Sequence, residues 1–507
     1  MREIQYGEMI TQVSSLFAAG LLYLAVQTIY RLYFHPLRKI PGPKLAAASS
    51  AYEFYFNVIK GGKFIWEIER LHEVYGPIIR IAPTEIHIKD PSYYEEIYAP
   101  YSRRREKPEK FYRQFDVDGS AFVTVSSELH RERRTPLSKW FSKSATTDMI
   151  PIIHKNLDKL CAQLYSAYKS HKVIKIDAGF ASLTSDIING YFLGCNTGNL
   201  DKEDFNESVR DGINGILQNS HLFFFFPFIA KIIEVLPLPV LKWINPFMHA
   251  LIAEKIRVHG HVVEALSGKR TSEGSVLASV LDKGLPEHLR GSRRLSNDAM
   301  SVLTAGTETT ARALAVGLFN ITKDTSIKDK LREELKSVMP TPQSRPTWDE
   351  LKQLPYLSGV ISETMRLATG VTMRCPRIAP SETLVYGDYT IPPGTTMSQI
   401  NYFVLMDPTI FPNPHVFDPE RWIHAASEGH HLERYLVNFS KGSRNCIGLN
   451  LASSEMYLTI ATLIRQFDFS LYQTTEKDIE FARDFAVPYP EEGNSCMSIL
   501  VDGLVQE

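Results

Sequence analysis

The residues best placed to do chemistry lie near the carboxyl end, in Phe439-Ser440-Lys441-Gly442-Ser443-Arg444-Asn445-Cys446-Ile447-Gly448. The pattern is F-x-x-G-x-R-x-C-x-G. Two glycines flanking a cysteine permit a tight loop whose backbone can approach a bulky planar group, because no Cβ obstructs it. Arg444, two residues before the cysteine, carries a fixed positive charge that could pair with a carboxylate on that group and favour the thiolate of Cys446. After Gly448, the run Leu449, Leu451, Ala452 and Met456 reads as a buried helix, whose first-turn amides would stabilise a thiolate further. A lone cysteine is usually inert packing, which is the reading for Cys161, Cys195, Cys375 and Cys496. For Cys446 five specified positions would coincide by chance on the order of once in ten thousand chains of this length.

A second stretch, Thr304-Ala305-Gly306-Thr307-Glu308-Thr309-Thr310, interrupts an otherwise amphipathic helical pattern that starts at a plausible N-cap, Ser296. Glycine costs about 1 kcal/mol relative to alanine in a helix, and four β-branched threonines add to that. Such local sacrifice is expected at functional sites. Small Ala305 and Gly306 would let a flat cofactor lie against the backbone, while Glu308 and Thr309 offer a carboxylate and a hydroxyl, the parts of a proton relay. The bland alternative is that the threonines bond to carbonyls one turn back. A third pair, Glu363 and Arg366, shares one helix face, worth a few tenths of a kcal/mol (~0.3) if exposed.

Together these stretches resemble the cytochrome P-450 family over nearly the whole chain. In that family the cysteine loop supplies the axial thiolate of haem iron, a ligand that favours O–O cleavage. Glu363-Thr364-Met365-Arg366 matches the E-x-x-R motif, and Phe417-Asp418-Pro419-Glu420-Arg421-Trp422 matches the P-E-R-F region, so the resemblance implies a buried triad of Glu363, Arg366 and Arg421 bracing the haem-binding core. It implies that Glu308 and Thr309 deliver protons while dioxygen is cleaved, and that Ala305, Phe439, Cys446 and Gly448 contact haem. His130-Arg131-Glu132-Arg133-Arg134 falls where the family has W-x-x-x-R, so His130 replaces the usual Trp. Either ring can donate an N–H to a haem propionate, although the charge of an imidazole could depend on pH. Arg134, Arg374 and Arg444 are expected as propionate partners, a task suited to planar guanidinium groups. Arg131, Arg133 and Lys441 are either a solvated face or a docking patch for an acidic electron donor. Leu405 stands where relatives often carry His, a position read as packing.

The resemblance therefore implies a haem-thiolate monooxygenase acting on an apolar small molecule with O2 and electrons from an NADPH-dependent flavoprotein reductase. The style of Tyr30 to Pro43 is that of filamentous-fungal members, which act on terpenoid, alkaloid or polyketide intermediates of secondary metabolism; the substrate expectation is analogy alone. The rivals are a haem-thiolate isomerase or dehydratase needing no O2, against which Glu308 and Thr309 speak, and a non-catalytic carrier of haem or an apolar ligand. Phe115 to Val123, Val371 to Met373 and Ala486 to Tyr489 are apolar candidates for pocket walls. The aromatic run His221 to Phe228 is either core or a membrane-facing lip through which substrate enters.

The elements that must position these groups are mostly helical, with small β-sheets. Apolar spacing of three and four predicts helices over Ile252 to Leu266, Ser296 to Thr322, Ile327 to Val338 and Pro355 to Leu367. Thr347 to Glu350 reads as a capping box. Alternating pieces near Ile78 to Ile88, Thr383 to Ile391 and Cys496 to Val501 predict strands. At the amino end an apolar run centred on Leu16 to Val26 reaches, with its flanks, the roughly 20 residues of a spanning helix. Arg31, Arg38, Lys39 and Lys44 follow it among prolines, which puts the bulk of the chain on the cytosolic side and fits an anchor in the endoplasmic reticulum membrane. A cleaved signal is the alternative, but Ala46-Ala47-Ala48 follows the charged segment, the wrong order for cleavage. The expected division is an anchor over 1–35, a basic proline-rich hinge over 36–45 and one large haem domain over 46–507.

The 507 residues contain 56 Lys and Arg against 57 Asp and Glu, so no global basic field exists and nucleic-acid binding is not expected. Five scattered cysteines without a C-x-x-C pair give neither a disulfide framework nor a structural zinc module. The length suggests about three domains, but no repeat, linker or charge block beyond residue 45 marks a boundary.

Overall fold

The computed structural model describes residues 2–203, 205–268, 274–282, 285–491 and 496–506. Its centre is the 32-residue helix Ser292–Lys323, which carries the Thr304 to Thr310 stretch and is buried along most of its length. Ser296 does not cap it. The helix begins one turn earlier, after Gly291, and the Ser296 hydroxyl donates to the Ser292 carbonyl at 2.8 Å.

Around this axis pack the helices Lys143–Ser170, Ile176–Leu193, Pro246–Leu266, Pro355–Ala368 and Leu449–Gln466. Small residues set the closest approaches. A Cβ on Gly317 would lie 2.8 Å from the Thr364 hydroxyl, so the axis and the helix Pro355–Ala368 meet backbone to side chain there. A Cβ on Gly306 would sit 3.2 Å from Ile188 on the helix Ile176–Leu193. One continuous apolar core joins these helices: four present a buried stripe to the axis, and Lys143–Ser170 packs one layer out, against Ile176–Leu193 and Leu449–Gln466. The Thr347 capping box forms as read, with Pro355 opening the next helix.

Strands are few and peripheral. A four-stranded sheet runs Ile78–Ala82, Glu85–Ile88, Thr396–Ser398, Arg377–Ile378, its middle pair parallel and its outer pairs antiparallel. Two hairpins, Leu384–Tyr386 with Tyr389–Ile391 and Arg483–Phe485 with Val487–Tyr489, and a three-stranded sheet containing Ser498–Leu504 complete it. The alternating segments of the sequence are all found here, each short because the helices cover most of the core.

The amino-terminal helix Arg2–Ile29 continues as a wider turn over Tyr30–Phe34. Thr11–Phe34 is long and apolar enough to cross a membrane, and none of that span is buried against the rest of the protein. The proline-rich stretch after it is docked. Arg80 donates to the Arg31 carbonyl at 2.9 Å and Arg31 to the Ala48 carbonyl at 2.7 Å, while Leu37 and Ile40 are buried against the sheet.

Glu363 and Arg366 have no exposed side-chain surface. The Glu363 carboxylate accepts from Arg366 at 2.7 and 2.9 Å, from Arg421 at 3.1 Å, from the Trp422 indole at 3.0 Å and from the Asp418 amide at 3.0 Å. Arg366 spends its other donors on the carbonyls of Leu405, Pro414 and Val416. Leu405 is fully buried packing, as its apolar character suggests. Removing one member of such a network strands a buried charge, so Arg366→Leu is expected to cost about 3–5 kcal/mol. Urea unfolding followed by circular dichroism should show that loss, with no rescue by Arg366→Lys, whose single ammonium cannot span both carboxylate oxygens.

Candidate functional site

The Cys446 loop is built on a close backbone contact that only a glycine at 442 allows. Gly442 has φ 71°, and a Cβ there would collide with the carbonyl oxygens of Tyr98 and Ala99. The Ser443 amide donates to the Ala99 carbonyl at 3.0 Å, and the Cys446 amide closes the loop on the Phe439 carbonyl at 2.8 Å. Asn438 ties the entry of the loop to the carbonyl of Met365, between Glu363 and Arg366 in sequence, at 2.7 Å. Cys446 is accessible, yet burial pushes its thiol pKa up, so it faces an inner wall and not the outer surface. The Gly448 amide and Arg134 act in the opposite direction and favour the thiolate. The cation acting on Cys446 is thus Arg134 and not Arg444, as the spacing had suggested. Ala305 is likewise accessible in the middle of the buried central helix.

Five basic side chains gather behind this loop. Arg444 donates to the carbonyls of Thr124 and Val125, both at 2.7 Å, and its Nε is buried without a partner. Arg134 donates to Asn445, Arg377 to the Tyr112 hydroxyl at 2.9 Å, and Lys107 to the Phe122 carbonyl. His130 receives the Tyr101 hydroxyl, 3.2 Å from its Nδ1. Among the described residues none of the five is paired with a carboxylate. The cost is visible in their ionisation. Burial, reinforced by mutual repulsion, holds Lys107 well below the usual lysine value, lowers Arg444 to about 10 and lowers His130 to about 2. His130 is therefore neutral, a fixed donor where its titration had been expected. A ligand bearing two carboxylates would relieve this repulsion, and with a cysteine at its centre and small residues opposite, the site suits haem.

Arg374 does not join the cluster. Both edges of its guanidinium are taken, by Glu53 and Glu85 at 2.7 Å each, in a buried trio that fastens the segment after the helix Pro355–Ala368 to the sheet. Arg377, three residues on, lies in the cluster instead. Lys107 and Arg377 were not singled out by the sequence: Lys107 stands alone before a proline, and an arginine pair three apart does not say which member turns inward. The expected docking patch also separates. Arg133 bonds Thr124 at 2.8 Å, Lys441 pairs with Glu95 at 2.7 Å, and Arg131 is exposed beside the Tyr101 ring.

On the central helix the Thr309 hydroxyl donates to the Ala305 carbonyl at 2.8 Å, and Thr307 to Leu303 at 2.8 Å. This backward bonding leaves the acceptor lone pairs of Thr309 for a ligand. Glu308 is buried, with one oxygen 3.5 Å from Arg210 and the other without a partner. Arg210 also bonds Asp177. Beyond lies an apolar wall of Phe111, Tyr112, Leu217, Met373, Val487 and Tyr489, against which Phe115, Val123 and Val371 pack. The aromatic run divides: Phe223 is core, whereas Phe226 and Phe228 are exposed.

Comparisons with known proteins agree with this site. A sequence profile described as Cytochrome P-450 matches residues 49–495. The cytochrome P-450 monooxygenase aflU of Aspergillus parasiticus is 40% identical over 485 residues, 96% of this chain and 97% of that protein. The conidiogenone synthase PchP450 of Penicillium rubens is 42% identical over 477 residues, covering 93% and 96%. The crystal structure of the cytochrome P450DA heme domain shares the fold, with a TM-score of 0.71 at 18% identity over 92% of this chain and 98% of that one. The chain belongs to the cytochrome P-450 family of haem-thiolate monooxygenases.

Proposed function

We propose that the protein is a single-pass membrane monooxygenase that inserts one oxygen atom of O2 into an apolar small molecule of fungal secondary metabolism, a terpenoid, alkaloid or polyketide intermediate. The observation that carries the site assignment is the accessible Cys446 beside five buried basic side chains with no carboxylate partner. Cys446 would hold the iron of haem, with Lys107, His130, Arg134, Arg377 and Arg444 around its carboxylates. Bound there, haem supplies the centre at which O2 is activated. Glu308 offers its unpartnered oxygen as a relay point for protons, Thr309 offers hydroxyl lone pairs beside Ala305, and the wall around Met373 and Val487 excludes water and orients the substrate. The apolar wall supports an apolar substrate.

The same division of the chain is proposed as from the sequence: an anchor over 1–35, a hinge over 36–45 and a haem domain over 46–507. The unburied span Thr11–Phe34, the basic collar after it and exposed Phe226, Phe228, Trp243 and Ile244 support an endoplasmic reticulum membrane location in contact with lipid. An NADPH-dependent reductase in that membrane would supply electrons.

Three measurements test this reading. Cys446→Ser should abolish the red-shifted carbon monoxide spectrum of the reduced protein, and its persistence would refute the ligand. Arg377→Leu should speed haem transfer to apomyoglobin by about tenfold, the worth of one charge-assisted hydrogen bond, whereas an unchanged rate would return the carboxylates to other partners. Thr309→Ala should keep haem but divert electrons to hydrogen peroxide, lowering product per NADPH by about tenfold or more. Product formed without O2 would instead favour an isomerase or dehydratase.

A further inference from the structure

The segment from Asp116 to Val125 joins the site to the rest of the protein without helix or strand of its own. One edge belongs to the site. Its carbonyls at Phe122, Thr124 and Val125 receive Lys107 and Arg444, and Val123, with Phe115 just before the segment, packs on the apolar wall. A segment without internal ladders takes its order from side chains that satisfy its backbone. On the opposite edge those come mainly from the first turns of the central helix. Asp298, buried, accepts the Ala121 amide at 2.7 Å on one oxygen and Arg294 at 2.6 Å on the other. Asn297 donates to the Asp118 carbonyl at 2.8 Å, and Lys255 reaches Asp116 from the helix Pro246–Leu266. Of these contacts Asp298 makes the shortest bond to the backbone at the middle of the segment, and its carboxyl keeps an oxygen for the Ala121 amide whether ionised or protonated.

We propose that Asp298 is a positioning residue that pins the segment 116–125 closed against the central helix and so sets how fast ligands reach the inner face of Cys446 and Ala305. This inference rests on the haem reading above. The charged groups facing Asp298 are Arg294 on its own helix and Arg133 on the helix Ser127–Ser138; Leu137, Phe192, Leu277 and Val280, from the other elements around it, are apolar. Burial, opposed by Arg294 and the Ala121 amide, raises the carboxyl to about 6. When the segment lifts, water reaches the group and its pKa falls toward the free value of about 4. The closed form therefore binds a proton that the open form releases. Closure is strongest below about pH 4 and weakens as pH rises from 4 to 6, so opening is about tenfold more frequent at pH 7.5 than at pH 5.

The test uses the full-length haem-loaded protein and n-butyl isocyanide, a bulky ligand that does not titrate over this range, with association followed by the Soret shift. Asp298→Ala should raise the association rate at pH 6 at least several-fold and speed amide exchange in peptides covering 116–125. Asp298→Asn keeps an oxygen for Ala121, so it guards against loss of folding, and should flatten the pH dependence of the rate that the wild type shows between pH 5 and 7.5. Wild-type rates and exchange in Asp298→Ala, or an Asp298→Asn profile that still rises with pH, would overturn the pin. A wild-type protein with no Soret response to the isocyanide would overturn the haem reading instead, and the exchange measurement would still judge the pin.

Discussion

A carboxylate shut away from water must be met by donors on every side, and Glu363 dictates where those donors stand. Two arginines, an indole and a backbone amide converge on it, and Arg366 in turn collects three carbonyls from the stretch between residues 405 and 416. The same helix receives Asn438 from the base of the cysteine loop. Segments far apart in sequence are thereby fixed around one ion pair. Buried pairs of this kind add little net stability because desolvation offsets attraction, but they penalise any arrangement in which a partner is missing. The result is a rigid platform, with the backbone under Cys446 held to tolerances that a loop alone would not keep.

The distal half of the site obeys the opposite economy. Where the Glu363 network is fully matched, the basic cluster of Lys107, His130, Arg134, Arg377 and Arg444 is unmatched, and its carbonyl partners only soften the repulsion. Glu308 also keeps an oxygen without a donor. The two sets are distinguishable by their hydrogen bonds before any chemistry is considered.

Much of this was legible in the sequence where one residue type had to satisfy one backbone demand. The glycines of the cysteine loop, the capping box at Thr347 and the apolar periodicity of the central helix each follow from local rules, and the structure keeps them. By spacing alone the E-x-x-R pair reads as ordinary, since spacing places two residues on a face without saying what covers that face, and its burial is implied only by the family resemblance. Arg374 was the clearest miss: it and Arg377 have the same chemistry, and only the three-dimensional position of Glu53 and Glu85 decides which is consumed by the frame. His130 shows the same limit. Its substitution for Trp was visible, but its lost basicity comes first from burial and then from cations brought from four separate stretches. The central helix runs unbroken through Gly306, and Thr309 and Thr307 do what the plainer reading of the threonines anticipates and bond one turn back.

The docked joint after the amino-terminal helix has a mechanical consequence. Arg80 and Arg31 clamp the backbone on both sides of the proline-rich stretch, and Leu37 and Ile40 sink into the sheet beside it. A helix so mounted is a handle and not a string. Torque applied to it is carried into the strand Ile78–Ala82, so the tilt of the helix and the heading of the whole body turn together, and the compass direction in which the aromatic rim points is set by one joint.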